Sequence, residues 1–133
     1  ALIKGDITTE TPVPVRMHSL DVMEDVLGDT SGSRGGGELQ NAMLHIAEEG
    51  RGIVVLMREP TPSTLSEKLQ RKMKTRVEDA LGASELRDYG VGAQILLDLG
   101  IKDMVLLTDS EKTVVGLEGY GLSIIARKPS SSE

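Results

Sequence analysis

Apolar side chains recur along the chain at two spacings, one typical of buried strands and one typical of helices. Short apolar stretches predict strands over Leu2–Ile7, Val13–His18, Ile53–Met57, Met104–Leu107 and Leu122–Ala126. The clearest helix is predicted over Glu38–Glu49, where apolar residues return every three or four positions; its predicted buried face consists of Leu39, Ala42, Met43, Ile46 and Ala47. Further helices are predicted over Ser19–Leu27, Thr64–Arg76, Glu85–Leu99 and Glu111–Leu117. In the helix that begins at Glu85, the predicted apolar stripe is Tyr89, Ala93, Leu96 and Leu97.

The order of these elements predicts an α/β fold. Strands alternate with helices, which is typical of a sheet covered by helices. Only a polar turn over Thr8–Pro12 separates the first two strands, and we expect them to pair and make the sheet mixed. The 133 residues fit a single domain. We assign residues 1–128 to this domain and expect 129–133, a short run rich in serine, to be a disordered tail.

Composition and charge exclude several classes of function. The chain has two Tyr, no Phe and no Trp, so it lacks the aromatic surfaces on which single-stranded nucleic acids stack. Its net charge of -6 repels nucleic acids and anionic membranes. No apolar run approaches the ~20 residues of a membrane span, and nothing resembles a secretion signal. We therefore expect a cytoplasmic protein with no nucleic-acid or membrane partner.

The complete absence of cysteine removes thiol nucleophiles, disulfides and thiolate metal sites. The first residue, Ala1, is not Met and already lies within an apolar stretch. This start is typical of a piece cut from a longer polypeptide, so we expect another domain on its amino-terminal side.

An ordered series of motifs resembles the GTP cyclohydrolase II family. The series contains KGDI (4–7), VRMHS (15–19), IAEEGRGIVVLMRE (46–59), LRDYGVGAQILLDLGI (86–101), LLT (106–108) and VVGLEGYGL (114–122). The resemblance implies a mixed β-sheet covered by helices and a homodimer. It also implies a place after a 3,4-dihydroxy-2-butanone 4-phosphate synthase domain on one polypeptide of riboflavin biosynthesis.

The zinc chemistry of the family has no obvious counterpart in this sequence. In the family, three cysteines hold a zinc ion; the metal polarises a water that attacks C8 of guanine, formate is lost and pyrophosphate is released. The resemblance places Asp21 at the first cysteine position, and the other two positions fall within Ser31–Gly35, at Ser33 and Gly35. Zinc lowers the pKa of bound water to about 7, and this shift corresponds to a free energy on the order of 10 kcal/mol. We predict that the zinc is lost and that no other cofactor replaces it.

Part of the nucleotide site of the family is still recognisable. Arg16, His18 and Ser19 match the segment that lines it, and Glu38 replaces a glutamine that contacts the base. From the family's phosphate-binding stretches the chain keeps Arg58 and Thr108, while Lys112 lies one position away from the expected lysine, at Thr113. These residues are the predicted nucleotide-binding set.

Glu85 and Arg87 match a family Asp-x-Arg pair that is proposed to act at the phosphate. They are predicted as vestigial catalytic residues. An ordinary ion pair at the start of a helix explains the same residues equally well.

Three hypotheses follow. The first is a catalytically silent domain that stabilises, dimerises or regulates an attached synthase. The second is an active GTP cyclohydrolase II that uses another metal or none. The third is a regulatory module that still binds GTP or a related nucleotide weakly.

Overall fold

The computed structural model describes residues 1–31, 36–58, 66, 69–70, 73, 83–109 and 117–130, and for 83–88 the backbone alone. The strands within these ranges are β1 (Leu2–Lys4), β2 (Val13–Ser19), β3 (Gly52–Met57), β4 (Asp103–Leu107) and β5 (Ser123–Lys128). The longer helices are α1 (Glu38–Glu49) and α2 (Ala83–Asp98), and a π-helical turn spans Val22–Val26. No helix in the described ranges is both long and apolar enough to cross a membrane.

The strands form one mixed sheet in the order β1-β3-β2-β4-β5. Neighbouring strands from β3 to β5 run parallel, and β1 runs antiparallel to β3. The predicted α/β class and mixed sheet are confirmed.

The predicted pairing of the first two strands is wrong, because β1 lies beside β3 and not beside β2. The strand ends at Lys4, and Gly5 then adopts a left-handed conformation with φ of 67°. Arg51, just before β3, donates hydrogen bonds to the Thr9 hydroxyl and to the Pro12 carbonyl. Arg51 thus holds the polar segment over Thr8–Pro12 near the start of β3. The segment does not form a turn between paired strands, because β3 lies between β1 and β2 in the sheet.

Side chains alternate between two apolar layers along the strands, as the pleat requires. One layer lies between the sheet and α2 and contains Val15, Met17, Ile53, Val55, Ala93 and Leu96. The other lies between the sheet and α1 and contains Leu39, Ala42, Ile46, Val54 and Leu107. Because residues 15 and 17 face the α2 layer, residues 16 and 18 face α1.

The bounds of α1 are confirmed, but its buried face is narrower than predicted. Leu39, Ala42 and Ile46 are buried, whereas Met43 and Ala47 are exposed. In α2, Ala93 and Leu96 are buried and Leu97 is exposed, so this part of its predicted stripe is also wrong. A 3.6-residue period brings only one residue per turn directly onto the sheet, and its neighbours at the margin of the stripe stay in solvent.

Three other predicted helices are shorter than expected or lie largely outside the described residues. The helix expected at Ser19–Leu27 is a shorter π-helical turn, capped by the Asp21 side chain. Most of the helix expected at Thr64–Arg76 lies outside the described residues, although residues 66, 69–70 and 73 are helical. The helix expected at Glu111–Leu117 lies outside them except for its last residue, which is helical.

Candidate functional site

The carboxyl end of β2 carries two buried polar side chains on one face of the sheet. Arg16 and His18 lie two residues apart, so both project towards α1, and their exposed fractions are 6% and 7%. Ligands of open α/β sheets bind just beyond the carboxyl ends of the strands. This edge of the sheet is therefore the candidate site.

Arg16 uses all four N–H groups of its two terminal nitrogens. Nη1 donates to the carbonyl of Leu107 and to the hydroxyl of Ser130, both at 3.1 Å. Nη2 donates to Glu38 Oε2 at 2.6 Å and to His18 Nδ1 at 3.4 Å. Among the described residues, the buried Nε has no hydrogen-bond partner. Because Glu38 is the first residue of α1, this ion pair connects the helix to the middle of the sheet.

His18 is held from both sides of its ring. Since Arg16 is always protonated and can only donate, the contact with Nδ1 makes that nitrogen an acceptor. The ring proton then lies on Nε2, which donates to Asp25 Oδ2 at 2.9 Å. The same carboxylate oxygen accepts a hydrogen bond from the Asp21 backbone N–H at 2.8 Å. The pairing fixes both the tautomer and the orientation of the imidazole.

Ser130 closes the far side of the arrangement. Its side chain is buried, with an exposed fraction of 1% for the residue. The hydroxyl accepts from Arg16 and donates to Asp109 Oδ2. The prediction that a disordered tail begins at residue 129 is therefore wrong at this position, while residues 131–133 lie outside the described part of the chain.

The remaining predicted residues of the described chain lie along the same edge. Ser19 ends β2 and Arg58 follows β3, and both are exposed. Thr108 follows β4, is buried, and donates its backbone N–H to the Lys128 carbonyl at 2.9 Å. Since β3, β2 and β4 are parallel neighbours, their carboxyl ends meet here. Arg16 thus contacts both His18 and Glu38. Ser19, Arg58 and Thr108 lie at the same carboxyl edge of the sheet.

Other members of the predicted set cannot be located by their side chains. Lys112 lies outside the described residues, as do Ser33 and Gly35 of the expected zinc loop. The backbone of Glu85 and Arg87 belongs to α2, but their side chains are outside the description. The predicted roles of these residues stay predictions.

The family model for GTP cyclohydrolase II matches residues 1–129, nearly the whole of the chain. The chain belongs to the GTP cyclohydrolase II family.

Relatives of this GTP cyclohydrolase II domain are considerably longer proteins. The riboflavin biosynthesis protein RibBA of Chlorobium phaeovibrioides is 44% identical over 97% of this chain and 33% of its own length. RibBA of Bacillus cytotoxicus is 41% identical over 97% of this chain and 34% of its own length. An Arabidopsis thaliana protein, monofunctional riboflavin biosynthesis protein RIBA 2, chloroplastic, is 40% identical over 97% of this chain and 27% of its own length. The chain spans about a third of the length of the curated relatives it matches.

The residues of this GTP cyclohydrolase II domain do not fit the zinc ion that the family resemblance implies. Structural and catalytic zinc sites need three or four Cys, His or carboxylate ligands, and the sequence has no Cys. Asp21 accepts hydrogen bonds from the backbone of Met23 and Glu24, at 2.8 and 3.3 Å. His18 Nε2 is bonded to Asp25. Among the described residues, no three potential metal-ligating side chains are grouped together.

Sequence patterns in the GTP cyclohydrolase II domain did not reveal Asp25, Asp109 or Ser130. The partner of His18 is Asp25, seven positions along the chain. The π-helical turn brings Asp25 back to the strand end, and its wider turn has no sequence signature in this chain. Ser130 lies in a segment whose composition resembles a frayed end, and its burial depends on the contact with Arg16.

Proposed function

We propose that this GTP cyclohydrolase II domain has lost its zinc centre and its cyclohydrolase activity. In this proposal it acts as a structural or regulatory partner of an attached 3,4-dihydroxy-2-butanone 4-phosphate synthase domain. The setting would be a cytoplasmic protein of riboflavin biosynthesis. The observation that carries the proposal is the state of Asp21: it stands at the first expected zinc position, and its carboxylate caps a helical turn.

The side chains at the expected zinc positions explain why another metal ion would bind there only weakly. Capping occupies one oxygen of Asp21, and using that carboxylate as a ligand would compete with the capping bonds. The other two expected positions, a serine and a glycine, offer no thiolate or imidazole. Without a metal to generate hydroxide, an unassisted water must attack the purine ring, and the barrier rises steeply.

A second candidate function, a nucleotide-binding regulatory module, is favoured by the convergence of Arg16, Ser19, Arg58 and Thr108 at one edge of the sheet. The bonding of Arg16 argues against tight binding. Its four terminal N–H groups already have protein acceptors, and one acceptor is the carboxylate of Glu38. A phosphate would have to compete with that carboxylate, so we expect GTP or a related nucleotide to bind weakly.

The relatives support an attached domain. The two RibBA relatives are each about three times as long as this chain, which leaves room for the synthase that the family resemblance implies. The Arabidopsis relative is named as monofunctional, and our proposal likewise gives the parent protein a single activity. A homodimer completes the proposal, because symmetric pairing is the commonest assembly of soluble proteins.

GTP turnover tests the enzymatic half of the proposal. We expect no GTP-dependent formation of formate or of the diaminopyrimidine product above a no-enzyme control in zinc-containing buffer. Sustained turnover that disappears in Arg87→Ala would contradict the proposal and support an active enzyme. A Lys102→Ala variant, altered at an exposed residue on the opposite edge of the sheet, is the matched control for loss of a positive charge.

Removal of the domain from the full-length protein tests the structural half. We expect the truncated synthase to have a lower melting temperature, weaker self-association by light scattering, or altered turnover. The isolated domain should itself dimerise at high concentration. If all three properties of the synthase are unchanged and the isolated domain is monomeric, the partner role is wrong.

A further inference from the structure

We propose that the Glu38 carboxylate fills an anion site formed by Arg16 and the amino end of α1, and that it thereby prevents phosphate-bearing ligands from binding there. The inference rests on the proposed function in one respect, since both concern the same edge of the sheet. It adds a specificity-determining residue, and it predicts a binding site that one substitution opens.

Two positive features converge on the Glu38 carboxylate. The guanidinium of Arg16 lies 2.6 Å away, in a pair whose side chains are only 7% and 16% exposed. The second feature is the amino end of α1, a twelve-residue helix whose N-cap, Gly37, makes no side-chain capping hydrogen bond. The positive end of a helix dipole stabilises an anion. A carboxylate at this point therefore takes the place in which a bound phosphate oxygen would lie.

Arg16 has one donor to spare. Its Nε is buried and has no hydrogen-bond partner among the described residues, although buried polar groups normally have one. Of the nitrogens of this guanidinium, Nη2 is the one that donates to Glu38. A phosphate has more acceptor oxygens than a carboxylate and can take up two N–H groups of a guanidinium at once. Arg16 therefore has more hydrogen-bond donors available to an anion than the Glu38 carboxylate uses.

The surrounding charges explain why the unaltered site excludes phosphate. Besides Glu38, the carboxylates of Asp25 and Asp109 lie one hydrogen bond away from groups that contact Arg16. Among the described residues of this network, Arg16 is the one permanent positive charge. An incoming phosphate meets an excess of negative charge, and like charges at short range in a buried site repel strongly.

Substitution of Glu38 by glutamine separates charge from packing. Glutamine keeps the length of the side chain and an oxygen that can accept from Arg16, but it removes the negative charge. We expect Glu38→Gln to bind inorganic pyrophosphate at least tenfold more tightly than the unaltered chain, measured by calorimetric titration at constant ionic strength. Arg16→Met combined with Glu38→Gln should return the affinity to that of the unaltered chain.

Glu49→Gln is the matched control. Glu49 is the last residue of the same helix and also forms an ion pair, with Lys128 at 2.8 Å. The two single substitutions change the net charge equally, so an equal gain of affinity in Glu49→Gln would assign the effect to net charge and overturn the proposal. Equal affinities of Glu38→Gln and the unaltered chain would overturn it as well.

Glu38→Gln leaves a buried arginine without its counter-charge, which can unfold a small domain. In that case, the proposal requires pyrophosphate to restore a cooperative melting transition, and a chain that stays unfolded overturns it. GTP turnover by the unaltered chain would contradict the proposed loss of activity without affecting this comparison. A failed comparison would leave the proposed loss of activity untouched.

Discussion

Arg16 shares one positive charge among four acceptors at the carboxyl edge of the sheet. The acceptors come from distant parts of the sequence, since Glu38 begins α1, Leu107 ends β4 and Ser130 follows β5. A buried charge that loses one partner is left with an unmet desolvation cost, which exceeds the net value of the bond itself. At the scale of single residues, the partners of Arg16 are therefore sensitive positions.

Ser130→Ala should lower the free energy of unfolding by about 1–3 kcal/mol, because it leaves one N–H of Arg16 without an acceptor in a buried position. Urea denaturation at pH 7 measures the change. Ser123→Ala, at an exposed residue at the start of β5, should change the stability by no more than about 0.5 kcal/mol. Equal effects of the two substitutions would show that the segment after β5 does not support Arg16.

Motif resemblance identified Arg16, His18 and Glu38 as members of one site, and the structure places them in direct contact. It did not identify the other side-chain hydrogen-bond partners of Arg16 and His18. Asp25 and Ser130 reach the site through a π-helical turn and through the last described residues of the chain. Neither approach leaves a periodic pattern, because neither contact joins residues at the regular spacing of a helix or a strand.

At Gly52, the first residue of β3, side-chain atoms of α1 and the backbone of β2 come close to the strand. It has φ of 153°, and a Cβ atom there would lie 2.8 Å from Ile46 Cγ1 and 2.9 Å from the Pro14 carbonyl oxygen. The carbonyl belongs to the backbone of β2 and cannot move aside without disturbing the sheet. The connection between α1 and β3 therefore requires glycine at this position.

Gly52→Ala should destabilise the domain by about 2–4 kcal/mol, through overpacking against Ile46 and a backbone conformation that is unfavourable for alanine. Thermal and urea unfolding measure this loss. Gly119→Ala is the control, since no atom lies within 4 Å of a Cβ atom built there. A loss of less than about 0.5 kcal/mol for Gly52→Ala would show that α1 can move away from the sheet at low cost.

The ion pair between Lys128 of β5 and Glu49 of α1 predicts a small pH-dependent contribution. The Lys128 hydrogen bond, followed by its charge, lowers the pKa of Glu49 below its usual value. A lowered pKa stabilises the fold above the ordinary pKa of glutamate, and the contribution disappears as the pH falls through the lowered value. Both side chains are more than a third exposed, so screening by solvent limits the contribution to about 0.5 kcal/mol.

Lys128→Met should therefore be slightly less stable than the unaltered chain at pH 7 and equally stable near pH 2, in urea denaturation at low salt. Lys102→Met, at an exposed residue outside this pair, controls for the change in net charge. A difference that persists at the acidic end would mean that Lys128 stabilises the fold by packing and not through Glu49.

Hydrophobic periodicity predicted the strands and α1 because each of these elements buries its own apolar residues. The spacing of those residues is visible within a short stretch of the sequence. It did not predict which strands are neighbours. The position of β1 beside β3 depends on Arg51 holding Thr9 and Pro12, a contact across about forty residues. The outer residues of the helical stripes, Met43 and Leu97, were misplaced because an apolar side chain at a helix margin can also remain in solvent.

At the scale of the whole molecule, the scaffold of the family is retained, while the cysteines that the family resemblance implies are absent. The apolar layers on both faces of the sheet are complete in the described ranges, and the family model matches residues 1–129. The cysteines that hold the zinc in the family are missing from the entire sequence. Since most substitutions destabilise a protein by ~1 kcal/mol, a retained core in a chain without its metal ligands favours a structural or regulatory role.

Elemental analysis of bound zinc tests this central claim most directly. The domain, purified in zinc-containing buffer and dialysed against a mild chelator, should hold well under one zinc ion per chain, because two or fewer candidate ligands give only a weak site. The same treatment of a RibBA relative that carries the family's three cysteines provides the positive control. One zinc ion per chain that survives dialysis and disappears in Asp21→Ala would contradict the proposed loss of the metal centre.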